Sequence, residues 1–107
     1  MMTSTSFKLV YAVQVKAQLK AIDRKYHAII RQEIENQLRF EPDVETRNRK
    51  PLTRTVKFGA DWELRCGPNN RFRVFYEINQ IEREVDVIAI GIKRGNRVFI
   101  GGEEVEL

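Results

Sequence analysis

The stretch VIAIGIKRGNRVFI, Val87–Ile100, decides how the rest of the chain must fold. From Val87 to Ile92 it carries no polar side chain, the pattern of a strand covered on both faces. Lys93, Arg94 and Arg97 then crowd around a Gly95–Asn96 turn, and Phe99 follows. Such a strand needs neighbours in the sheet and material packed above and below it.

The neighbours lie just upstream. DWELRC puts Trp62, Leu64 and Cys66 on one face and Glu63 and Arg65 on the other. RFRVFYEI puts Phe72, Val74, Tyr76 and Ile78 on one face and Arg71, Arg73, Phe75 and Glu77 on the other. This alternation is the period of a strand. GPNN and NQIERE have the composition of tight turns, so the three strands form an antiparallel meander.

The covering layer comes earlier. FKLVY, from Phe7, reads as a first strand, and Val15, Leu19 and Ile22 then share one helical stripe. Asp23 is placed to cap a longer helix in which Tyr26, Ile30, Ile34 and Leu38 recur every fourth residue, with Ile29 beside them. That helix stops before Pro42. From Glu41 to Gly59 the pattern dissolves into a polar connector, expected on the surface. The fold class is therefore α+β, with two N-terminal helices on one face of a curved, mainly antiparallel sheet. All 107 residues are expected to make one domain, with 1–6 and 101–107 as flexible tails.

Charge is unevenly spread. Between Arg47 and Arg97 twelve Lys/Arg face six acids, whereas GGEEVEL at the end is purely acidic. This asymmetry is the electrostatic footprint of a nucleic-acid binder, although a solvated basic face is the plainer reading. The one cysteine, Cys66, lies in a strand pattern and is expected to be a buried, inert thiol. Nothing near it spells a metal site, and no cofactor motif occurs. MMTSTS is followed by no apolar signal region and no run is long enough for a membrane span, so a cytoplasmic protein is expected.

Glu63, Arg65 and Arg73 share a face in this scheme, and Lys93 and Arg94 leave the end of the adjoining strand. Such groups suit metal-free cleavage of RNA, in which the 2′-hydroxyl attacks the adjacent phosphate. The enzyme must align the groups, stabilise extra negative charge and move two protons. Arginine offers a two-bonded fork to phosphate, and lysine a point charge. Glu63 is the one carboxylate near Arg65 on that face; a plain Glu63–Arg65 ion pair is the competing reading. His27 reads as a surface helix residue, Tyr76 as core, and Phe99 as either core or a base-stacking platform. Lys50, Arg54, Lys57, Arg94 and Arg97 are candidate RNA-phosphate contacts.

KPL (Lys50–Leu52), WELR (Trp62–Arg65), RFRVFYEI (Arg71–Ile78) and VIAIGIKR (Val87–Arg94), in this order, resemble the RelE/ParE family of toxins from bacterial type II toxin–antitoxin modules. The resemblance runs from Phe7 to about Ile100. It implies a toxin wrapped by a cognate antitoxin. RelE-like members cleave mRNA on the ribosome, and ParE-like members poison DNA gyrase instead. By motif, Arg65, Arg73 and Lys93 fall on the basic working positions of the RelE branch, and Glu63 stands where RelE carries lysine. Phe99 falls near the place of the RelE tyrosine and brings no hydroxyl. The leading expectation is a ribosome-dependent mRNA endonuclease, with catalysis assigned to Arg65, Arg73, Lys93 and Glu63. A gyrase inhibitor, or a catalytically degenerate binding member, is the alternative.

Overall fold

The apolar run does become the spine of a sheet. The computed structural model describes residues 6–53, 56 and 58–106. Among them β5 (Glu84–Arg94) pairs antiparallel, from Glu84 to Ile92, with the whole of β4 (Phe72–Asn79). On its other side β5 takes two partners in turn. β1 (Lys8–Tyr11) lies parallel to its first half, and β6 (Arg97–Ile100) runs antiparallel to its end. β3 (Trp62–Cys66) and β2 (Arg49–Pro51) continue the sheet beyond β4, and β7 (Glu103–Val105) continues it beyond β6. The result is a seven-stranded, mainly antiparallel sheet. Between Phe75 and Tyr76 the register against β5 slips, so that Phe75 faces Ala89 and Tyr76 faces Val87. A bulge of this kind bends the strand and strengthens its twist.

Two helices cover one face. α1 (Gln14–Leu19) and α2 (His27–Leu38) press Val15, Ile30, Ile34 and Leu38 onto Leu64, Phe72, Val74, Tyr76 and Val87. Each such large apolar side chain, fully buried, contributes roughly 1.5–3 kcal/mol. The every-fourth-residue stripe is thus the buried one, and Ile29 beside it is exposed. Asp23 caps a single 3-10 turn, Arg24–Tyr26, accepting the Lys25 N–H at 3.1 Å. His27 is not a free surface residue. Its Nε2 lies 2.8 Å from the Leu19 carbonyl and 2.9 Å from that of Ile22. Both neighbours are acceptors, so Nε2 carries the proton and ties α2 to the end of α1.

The second face departs most from the sequence reading. The connector does not simply lie on the surface: its Val56 is buried, and with Ala60 just beyond its end packs against Phe75, Ala89 and Val98. A strand also forms within it, because Arg49 and Lys50 pair with Leu64 and Glu63. Arg49 is buried and staples this segment to α2. Its Nε donates to the Val44 carbonyl at 3.0 Å, and one Nη donates to the Gln37 carbonyl at 2.7 Å. Tyr76 is core as expected, and its hydroxyl donates to the Pro42 carbonyl at 2.8 Å.

The C-terminal segment, expected to be a loose tail from 101 onward, instead reverses at Gly101 and Gly102 and returns as β7. Residues 1–5 and Leu107 lie outside the described residues. Gly91 lets β6 approach closely, since a Cβ there would stand 2.7 Å from the Phe99 carbonyl oxygen. Among the described residues no helix is long and apolar enough to cross a membrane.

Candidate nucleic-acid interface

Strand register assembles the site. Lys50, Glu63 and Phe75 lie side by side across β2, β3 and β4. The next row on the same face is Arg65, Arg73 and Gly91, and Lys93 stands two residues beyond Gly91. Because alternate side chains share a face, Lys50, Glu63, Arg65, Arg73 and Lys93 all belong to the side away from the helices.

Glu63 is the hub of this group. Its Oε1 accepts from Arg65 Nε at 3.0 Å and from an Arg73 Nη at 3.4 Å. The anticipated Glu63–Arg65 ion pair therefore exists, but it is one half of a triad. The members are unequally placed. Arg65 is partly open to solvent, whereas Glu63 and Arg73 are 6% and 5% exposed. The sequence reading put Arg73 and Glu63 on an open face. The side is right, and the layer that closes over it was not foreseen. Burial lowers the affinity of the Arg73 guanidinium for its proton, and the Glu63 carboxylate works against that shift. An arginine nonetheless stays charged in a protein. Its Nε, also buried, has no hydrogen-bond partner among the described residues. A buried donor left in this state costs about 1–3 kcal/mol, which an incoming oxygen would recover. Lys50 is half-engaged, with Nζ 3.4 Å from Glu45, and Lys93 is exposed.

The rest of the basic knot is elsewhere. Arg94 and Arg97 oppose one another across β5 and β6, and Phe99 opposes Ile92, whose side chain packs on the helix side. Arg94, Arg97 and Phe99 therefore belong to the face opposite Arg73. Phe99 is half-buried beside Gln18 and Ile22, with the Arg94 guanidinium 5.5 Å above its ring. A base stacked on Phe99 would not lie on the same surface as a phosphate held by Arg73. Arg97 approaches Glu104 at 3.7 Å, and both are exposed. Arg54 and Lys57 lie outside the described residues.

Cys66 is buried and its thiol is pushed up to about 12, chiefly by burial, so it is no nucleophile. No cluster of potential metal ligands occurs among the described residues. Sequence reasoning missed Arg71. Alternation assigns it to the Arg73 side, yet at the strand's start it turns back, and one Nη donates to the Tyr26 hydroxyl at 3.3 Å.

Neither a scan against protein-family models nor a search of curated proteins finds a match. Among solved structures the chain is similar to one in the crystal structure of the toxin–antitoxin complex RelBE2 from Mycobacterium tuberculosis. The TM-score is 0.61 at 16% identity, over 82% of this chain and 99% of that one. At that identity the likeness is one of fold.

Proposed function

We propose that the chain is the toxin of a type II toxin–antitoxin module, acting in the cytoplasm as a ribosome-dependent mRNA endonuclease that needs no metal. The observation that carries the reading is the single Glu63 oxygen shared by two guanidinium groups, one of them buried with an unpartnered Nε. Buried donors are satisfied as a rule, so an unused one inside this ion-pair cluster supports a site that takes an acceptor from outside. The fold shared with a chain from a toxin–antitoxin complex supports the same assignment, and a cognate antitoxin is the expected partner.

In the reaction the 2′-hydroxyl attacks the neighbouring phosphorus while the 5′-oxygen departs and takes a proton from water, leaving a cyclic phosphate. Arg73 and Arg65 donate to the non-bridging oxygens as negative charge builds, and Lys93 adds a point charge. Before RNA arrives, Glu63 holds both arginines in place of a phosphate. When the phosphate draws a guanidinium away, the freed Glu63 lone pair accepts the proton of the 2′-hydroxyl. Lys50 contacts the RNA backbone at the β2 edge.

Phe99 favours a second reading. It brings no hydroxyl and belongs to the other face, so the leaving 5′-oxygen has no phenolic proton donor there. In this reading the chain blocks DNA gyrase by protein contact, or is a binding member without catalysis. Controlled expression separates these functions. Translation arrest with new mRNA ends supports the nuclease, and an SOS response with intact mRNA overturns it in favour of gyrase.

A further inference from the structure

On the helix side, where the turn after α1 meets the ends of β4 and β5, lies a groove of about 270 Å³. Ile22, Phe72 and Ile92 line it, and Lys25, Arg71, Lys93 and Arg94 bring four cations to it. Its one carboxylate, Asp23, is engaged by the Lys25 backbone N–H. None of the four cations takes part in an ion pair among the described residues. Uncompensated like charges around an apolar concavity focus the field on whatever anion enters.

Three of the cations lie over aromatic rings, and Lys25 Nζ is 5.2 Å from the Tyr26 ring centre. Arg71 lies 5.7 Å from the Tyr26 ring centre and donates to its hydroxyl, and Arg94 lies 5.5 Å over Phe99. Guanidinium groups seated on rings lose little freedom when their remaining donors take a phosphate. The Tyr26 ring is itself fixed, 5.2 Å from that of Phe72.

We propose that this groove is a second RNA subsite, taking one nucleotide of the strand whose scissile phosphate sits at Arg73. This inference rests on the nuclease reading above. Lys93 joins the two surfaces, since it belongs by register to the Arg73 side and also lines the groove. Adjacent residues on a strand project to opposite faces, so Lys93 and Arg94 straddle the end of β5. A strand of RNA rounding that end meets positive charge throughout. At about 270 Å³ the space falls just under the roughly 300 Å³ at which small-ligand pockets begin, so it is too small for a folded partner and takes at most one nucleotide unit.

The test is binding of a labelled twelve-nucleotide single-stranded RNA to the intact protein across a salt series. Lys25→Ala with Arg71→Ala should weaken binding several-fold and lower the log–log salt slope by roughly 1.4, about 0.7 for each lost phosphate contact. Arg31→Ala with Arg39→Ala removes the same net charge from α2 and the residue that ends it, and should change neither value. Lys25→Glu alone, at an exposed position, repeats the test where Arg71→Ala impairs folding. Equal losses in the α2 control overturn the subsite, as does an unchanged slope in the groove variants. It is also overturned if a glutamate-rich peptide, and not the RNA, loses affinity in the groove variants. RNA binding lost with Arg65→Ala and Lys50→Ala, which lie outside the groove, but kept in the groove variants would sink this inference alone. Wild-type protein that binds no RNA would overturn the subsite, and mRNA left intact on ribosomes incubated with the wild-type protein would remove the nuclease reading as well.

Discussion

Arg65 and Arg73 are direct register partners across β3 and β4, and both donate to one oxygen of Glu63. Like charges placed opposite one another on a sheet repel. The carboxylate beside them turns that repulsion into a bound anion site filled from within. Removing it should be felt before any RNA is added.

Glu63→Gln should therefore destabilise the protein by about 3 kcal/mol, the lower end for breaking a buried pair, because Arg65 still reaches water. The urea midpoint should fall with an unchanged m-value. An unchanged midpoint would mean that the triad contributes nothing to stability.

Arg73→Ala should reduce mRNA cleavage roughly a hundredfold or more, the typical cost of losing one transition-state donor. Arg73→Lys keeps the charge without the fork and should stay well below wild type. Arg73 is buried, so both variants need their folded fraction measured by circular dichroism and the rate expressed per folded molecule. Full cleavage by folded Arg73→Ala would end the nuclease assignment.

Burial pushes the Cys66 thiol from an ordinary 9.0 up to about 12. Above pH 9 the unfolded chain releases this proton while the folded chain keeps it, so the unfolded state binds fewer protons and stability falls as pH rises. The loss should run between pH 9 and 12, at up to about 1.4 kcal/mol per pH unit. Cys66→Ala should have a correspondingly flatter profile in denaturant titrations over that range. Parallel profiles would contradict the burial argument.

His27→Ala should separate α2 from the end of α1. Losing this hydrogen bond to the Ile22 carbonyl should cost about 1 kcal/mol. For a domain of this size that lowers Tm by roughly 4–8 °C. No change in a thermal melt would make the contact incidental.

Strand alternation was enough to bring Glu63, Arg65 and Arg73 to a common side, and four-residue spacing was enough for the buried stripe of α2. What alternation cannot say is what lies over a face. Val56 and Ala60 sit in a segment dominated by charge, and their burial depends on Phe75 and Ala89, contributed by later strands. The sequence reading sends Lys93 and Arg94 off the strand end to one surface, whereas β5 runs through Arg94, so a two-residue period sends them to opposite faces. Arg71 escaped because a side chain at a strand's first turn can curl toward an acceptor, here Tyr26.

The parallel pairing of β1 with β5 sets the order in which the molecule can be made. Leu9 is the register partner of Val85, so the first strand must wait for β5 to be made before it can join the sheet. Non-local closure of this kind is slow compared with helix formation or hairpin closure. During synthesis α1 and α2 can form while the strands that seat them are still inside the ribosome. Arg65 and Arg73 then acquire their paired geometry only when β4 and β5 have emerged and docked. A chain that cleaves mRNA on the ribosome, as proposed above, would thus stay harmless to the ribosome making it until β4 and β5 have emerged.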